Sequence, residues 1–80
     1  MVISEENRFE IDEIICSLFD ISRVDLNDNS LFSEDLGIDS LDYVELIMSV
    51  EKEFDINLPD VEVEGLDNYG QFLTVVGKYI

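Results

Sequence analysis

Apolar residues recur at helical spacing in three parts of this chain and are scattered without period in a fourth. Near the start, Ile11, Ile14, Ile15 and Leu18 form a stripe at i, i+3, i+4 and i+7, the spacing of a helix with one buried face. Ser4 precedes the stripe, with Glu5 and Glu6 behind it. A hydroxyl cap followed by acids suits the positive end of a helix dipole. The pattern predicts a helix from about Ser4 to Phe19, with Asp12, Glu13 and Ser17 facing water. From Asp20 to Asp39 the period is lost. DISRVDLNDNSLFSEDLGID is rich in Asp, Asn and Ser and has one Gly, residues that favour turns. Ile21, Leu26, Leu31, Phe32 and Leu36 are spaced through it, so it reads as a long ordered crossover pinned by apolar side chains. A short helical turn is expected at Ser30-Leu31-Phe32-Ser33.

The period returns at SLDYVELIMSVEKEF. Asp39 or Ser40 caps this second helix, which runs to about Phe54. Val44, Ile47, Val50 and Phe54 are expected to form its inner, core-facing stripe, and Asp42, Glu45, Ser49 and Lys52 its outer face. Pro59 ends regular structure after Ile56-Asn57-Leu58 and can open a short helix over Pro59–Glu64. In the last segment Tyr69, Phe72, Leu73, Val76, Tyr79 and Ile80 recur at helical spacing, with Asp67 or Asn68 as the cap. Gly70 and Gly77 weaken that helix. The β-branched pair Val75-Val76 would also suit a strand, but no second strand pairs with it. The expected fold is all-α: a small four-helix bundle with three longer helices, one short helix and a long ordered loop between the first two long ones, forming one domain over residues 1–80.

Length and charge sharpen this picture. At 80 residues a single modest core is all the chain can build. Hydrophobic residues make up 46% of it, too many for a disordered acidic tail. There are 20 acidic residues against 4 basic ones, a net charge of −16. Phosphate backbones and anionic lipid surfaces would be repelled, so neither nucleic acid nor a membrane is the expected partner. Proteins with basic patches are, through encounters that salt weakens. Charge alone serves solubility equally well. The single Cys16 excludes an intrachain disulfide and reads as a small buried hydrophobe. MVISEENRFE is too polar for a signal peptide, so a cytoplasmic protein is expected.

Catalytic chemistry finds no support in these residues. There is no histidine to activate a nucleophile or to build a zinc site with cysteines, and no Gly-rich phosphate loop occurs. The abundant carboxylates read as a solvated face. Asp25-Leu26-Asn27-Asp28-Asn29 matches the D-x-N-x-N opening of a calcium loop. That motif then needs glycine at its sixth position and glutamate at its twelfth, and Ser30 and Leu36 stand there. No metal site is expected, and the chain is not expected to be an enzyme.

Ser40 is left. An Asp-Ser pair before an apolar run normally caps a helix and does nothing more. The same geometry holds a hydroxyl outward beside unpaired N–H groups, where a phosphodiester would be tolerated. Its surroundings carry the decision. Gly37-Ile38-Asp39-Ser40-Leu41 resembles the prosthetic-group attachment motif of acyl carrier proteins. The resemblance continues through Asp35-Leu36-Gly37, Asp42, Val44-Glu45-Leu46, Met48, Glu51, Glu53-Phe54-Asp55-Ile56 and Pro59-Asp60. The apolar positions Ile14-Ile15, Phe19, Ile21, Leu26, Phe32 and Tyr79-Ile80 extend it over nearly the whole chain.

That resemblance implies a 4′-phosphopantetheine group on Ser40, flanked by Asp39 and Leu41 and transferred from coenzyme A by a separate phosphopantetheinyl transferase. The arm's thiol would carry acyl groups as thioesters, so the chemistry belongs to the cofactor and to partner enzymes. It also implies docking of acyl-transfer and synthase enzymes, through basic patches, on Asp39, Leu41, Asp42, Glu45, Met48 and Glu51. Val44, Ile47, Val50 and Phe54 would form a core able to shelter the acyl chain. The expected protein is a monomeric acyl carrier of fatty-acid or polyketide synthesis.

Three residues depart from the family pattern. Lys52 interrupts the acidic face, Tyr43 is bulkier than the small polar residue usual there, and Phe72 stands near a usual cap position. The alternatives are an aminoacyl or peptidyl carrier of a dedicated pathway, whose motif usually reads G-G-x-S, and an unmodified calcium- or partner-binding helical module.

Overall fold

The computed structural model describes residues 3–80; Met1 and Val2, the start of the expected domain, lie outside the described residues. Four α-helices follow one another: α1 (Glu5–Phe19), α2 (Ser40–Phe54), α3 (Asp60–Val63) and α4 (Tyr69–Val76). Helix α1 packs against α2, and α3 against α4. The architecture is the expected all-α bundle with three longer helices, one short helix and an ordered crossover.

Three of the four helices, α1, α2 and α4, begin where a side chain satisfies orphan N–H groups, and α3 follows Pro59 without such a cap. The Ser4 side chain accepts from the Asn7 N–H at 3.1 Å. Asn68, one of the two expected caps, forms a reciprocal capping box with Gln71 at the start of α4. Helices α1 and α2 both end on an aspartate in the left-handed region, Asp20 and Asp55, each with φ 54°. Aspartate tolerates that conformation better than most residues.

Ile11 and Ile15 of α1 are buried, as are Phe72, Leu73, Val75 and Val76 of α4. Ile14 packs on the rim of this core. Asp12 does not simply face water: its carboxylate accepts the hydroxyl of the fully buried Tyr69 at 2.6 Å. That bond satisfies the one polar atom of a ring sunk in the core. The Arg23 guanidinium lies 3.6 Å from Asp12, pairs with Glu13 and covers the Phe9 ring.

The crossover is pinned by apolar side chains as expected, and by backbone bonds to the start of α4. Its helical segment is a 3₁₀ turn at Arg23–Asp25; the turn expected at Ser30–Ser33 falls slightly later, over residues 32–36, and is not helical. Phe32 is buried, and Ile21, Leu26 and Leu36 pack on the core. Leu31 contributes through its backbone, which bridges to Asn68. The Tyr69 N–H donates to the Ser30 carbonyl at 3.0 Å, the Phe32 N–H to the Asp67 carbonyl at 3.1 Å and the Gly70 N–H to the Asp28 carbonyl at 2.8 Å. A Cβ at Gly70 would fall 2.8 Å from that Asp28 oxygen. Gly70 therefore does more than weaken α4: it lets the crossover lie against the start of the helix. Ser30 is buried with its hydroxyl between the Asn27 N–H and the Asp25 carbonyl.

Candidate attachment site at the start of the second helix

The turn before α2 is built locally. The Asp35 carboxylate accepts from the Leu31 N–H at 2.8 Å, and the Leu31 carbonyl accepts from the N–H groups of Asp35 and Leu36. Gly37 follows at φ +67°, a backbone conformation that side-chain-bearing residues adopt at a cost. Beyond it the chain reverses. Ile38 turns inward, 3% exposed, and its N–H donates to the Phe32 carbonyl at 2.8 Å. With Ile38 held in the core, Asp39 and Ser40 emerge exposed.

Asp39, not Ser40, is the cap. Its side chain accepts from the Asp42 N–H at 2.9 Å, and the Asp42 carboxylate accepts from the Asp39 N–H at 3.2 Å. This reciprocal box is the usual arrangement for two orphan donors. Ser40 is the first helical residue, and its hydroxyl takes no part in the box. The side chain that could have been consumed as a cap is thus left accessible at the positive end of the helix.

A shallow groove of about 250 Å³ adjoins Ser40, lined by Phe32, Ile38, Asp39, Tyr43 and the Gly65-Leu66-Asp67 turn among others. Tyr43 is half-buried there. Its ring centroid lies 5.1 Å from that of Phe32 and 6.0 Å from that of Phe72, and Phe32 and Phe72 are 6.1 Å apart. Its hydroxyl donates to the Val63 carbonyl at 2.6 Å. Burial pushes the Tyr43 hydroxyl pKa up to about 12.

The exposed face of α2 starts from the same turn. Leu41 is 81% exposed, Met48 62% and Val44 51%. Val44 is therefore not part of the inner stripe. At 3.6 residues per turn it stands about 120° around the helix from Val50, but close to Leu41 and Met48. Leu46, outside the expected inner stripe, is fully buried with Val50, and Tyr43, Ile47 and Phe54 pack beside them. Glu45 is exposed. Leu41, Val44, Glu45, Met48, Ser49 and Lys52 share one shallow depression.

Glu51 departs from the expected docking face: its carboxylate turns toward the next loop and accepts the Leu58 N–H at 2.8 Å. Lys52 makes no ion pair among the described residues, whereas Arg8, Arg23 and Lys78 each have an acidic partner. Phe72 is fully buried inside α4, one turn past the Asn68 cap.

Comparison with known proteins agrees with this geometry. The family described as "Phosphopantetheine attachment site" matches residues 10–76. The acyl carrier protein of Chlorobium luteolum is 40% identical over 73 residues, covering 91% of this chain and 94% of its own. That of Clostridium acetobutylicum is 40% identical over 67 residues, covering 84% and 87%. Among solved structures, a chain described as an acyl carrier protein of Mycobacterium tuberculosis superposes with a TM-score of 0.80 at 28% identity, covering 88% of this chain and 93% of its own. The chain belongs to the acyl carrier protein family, a family of phosphopantetheine-bearing carriers rather than catalysts. The prosthetic group it implies is 4′-phosphopantetheine.

The residues present fit that group. An exposed hydroxyl opens a helix whose dipole favours a nearby phosphate, and a groove beside it can take part of an arm. Asp39 and Asp42 would repel the phosphate, but an ester is covalent and does not depend on that balance. No helix among the described residues is long and apolar enough to cross a membrane.

Proposed function

We propose that Ser40 carries the 4′-phosphopantetheine arm and that the chain, as one carrier domain over residues 1–80, holds acyl groups as thioesters on the arm's terminal thiol. A phosphopantetheinyl transferase would join the Ser40 oxygen, as it loses its proton, to the phosphate of coenzyme A's pantetheine half, breaking the pyrophosphate bond and releasing adenosine 3′,5′-bisphosphate. The observation that carries this reading is the division of labour at the helix start: Asp39 and Asp42 make the cap, and Ser40 stays exposed beside a groove. Once loaded, the carrier delivers its cargo to enzymes of fatty-acid or polyketide synthesis in the cytoplasm, acting as a monomer.

Docking uses the exposed face of α2. Asp39, Asp42 and Glu45 offer charge to basic patches on those enzymes, and Leu41 and Met48 offer apolar contact, with Val44 now joining them. Glu51 serves this face only indirectly, through its bond to the Leu58 N–H. Charge pairs of this kind govern the encounter rate more than the final affinity.

The test is direct. Incubation with coenzyme A and a broad-specificity phosphopantetheinyl transferase should add a single phosphopantetheine by intact mass, and Ser40→Ala should accept none. An unsubstituted chain that stays unmodified, or a Ser40→Ala chain that is still modified, overturns the assignment.

A further inference from the structure

The groove at Ser40 and the core behind it are separated by Tyr43. Helix α3 is only four residues long, too short to hold itself in place. It is fastened on two sides. On one, the Tyr43 hydroxyl reaches from α2 to the Val63 carbonyl at 2.6 Å. On the other, the Glu62 carboxylate accepts from Lys78 Nζ at 3.1 Å and from the Tyr79 hydroxyl. Between these ties Val63 is 3% exposed, and Leu46 and Val50 of α2 are fully buried. Tyr43 also packs against Phe32 and Phe72. Its ring thus sits in the wall of the groove while its hydroxyl bolts α2 to α3.

Resting on the carrier reading, we propose that Tyr43 is a specificity-determining residue that closes the seam between α2 and α3. The acyl cargo then stays in the shallow groove at Ser40 or in solvent, and the protein suits short acyl groups. A long chain could reach Leu46, Val50 and Val63 only by breaking the Tyr43–Val63 bond and displacing the ring from Phe32 and Phe72. The hydrogen bond holds the hydroxyl where the ring plugs the way, so the two effects reinforce each other. Removing the ring would leave an apolar void beside Phe32 and Phe72, the kind of space that takes up hydrocarbon.

The experiment compares butyryl- and octanoyl-loaded protein by thioester cleavage with neutral hydroxylamine. Methyl chemical shifts of Leu46, Val50 and Val63 are followed in parallel. In the unsubstituted protein the two thioesters should be cleaved at the same rate, and those methyl resonances should not depend on chain length. In Tyr43→Ala the octanoyl thioester should be protected about tenfold, as for a chain docked nine-tenths of the time, and the same resonances should move.

Tyr43→Phe, which keeps the ring and loses only the tie, should show weaker protection of the same kind. It decides the matter if the alanine variant does not fold. Octanoyl protection with core shifts in the unsubstituted protein would overturn the seam closure and leave the carrier reading standing. So would octanoyl cleavage at the unsubstituted rate in a folded Tyr43→Ala chain. Failure of the protein to accept phosphopantetheine would remove both.

Discussion

Helices α2 and α4 are both rich in apolar residues, but they spend them differently. Helix α4 has eight residues, of which Tyr69, Phe72, Leu73, Val75 and Val76 are buried. Helix α2 has fifteen, of which only Leu46 and Val50 are buried, while Leu41, Val44 and Met48 stand exposed. One is a core element. The other closes the core with one side and presents an apolar stripe flanked by acids with the opposite side. Exposed apolar side chains contribute little to folding, and a run of them beside charge is the composition of a contact surface.

Truncation should divide the two helices most sharply. Phe72→Ala is expected to cost about 3–5 kcal/mol in chemical denaturation, a large share of what a domain of this size holds. An effect near that of a surface substitution would break the contrast.

Alkaline pH probes the tyrosine that each of these helices packs inward, Tyr43 tied to α3 and Tyr69 tied to α1. Burial raises the Tyr43 hydroxyl to about 12 from an ordinary 10.0, and burial with the Asp12 hydrogen bond raises Tyr69 further still. In each case the folded state holds the proton more tightly than the unfolded chain. Their contribution to stability is thus fully present below pH 10 and declines as pH rises toward the folded values. Melting temperature should fall from about pH 10 upward. Tyr69→Phe and Tyr43→Phe should each flatten that slope by a similar amount, and they should part only near pH 12, where Tyr43 begins to ionise in the folded state and Tyr69 does not.

Smaller effects are expected at the start of α2. Asp39→Ala loses the cap and should cost about 1 kcal/mol, while still accepting phosphopantetheine at Ser40. On the exposed stripe, Val44→Ala and Met48→Ala should change stability by less than about 0.5 kcal/mol. Glu45→Lys should leave the helical circular dichroism unchanged but slow loading by the transferase, and added salt should narrow the gap. Equal loading rates at low salt would remove Glu45 from the docking face.

Much of this was readable along the chain because its causes are local. Ser4, Pro59 and Asn68 mark helix starts through bonds spanning a few residues, and Gly37 marks the turn before Ser40 through its own backbone angle. The motif around Ser40 is contiguous, so the proposed attachment site could be picked out without a structure. The inner face of α2 departs from the expected stripe at Val44, which is exposed, and Leu46, which is buried, a difference that helical angles alone can separate. Glu51 turns from the expected face for a different reason: its carboxylate accepts the Leu58 N–H, and an outer-face acid carries no mark of the backbone it will reach.

What the sequence determined by itself was a small acidic helical carrier with its serine at the head of the second helix, since periodicity, caps and a contiguous motif are short-range properties. Only the tertiary structure decided the rest. The 3₁₀ turn at Arg23–Asp25, the Asp28–Gly70 approach, the Tyr69–Asp12 bond and the Tyr43–Val63 tie join residues that adopt their geometry because other elements press on them. Tyr43 shows the distinction most clearly. In the sequence it is a large residue where a small one is usual; in the fold its ring meets Phe32 and Phe72 and its hydroxyl meets a carbonyl twenty positions away. Such a contact is set by how helices pack, and no local pattern encodes it.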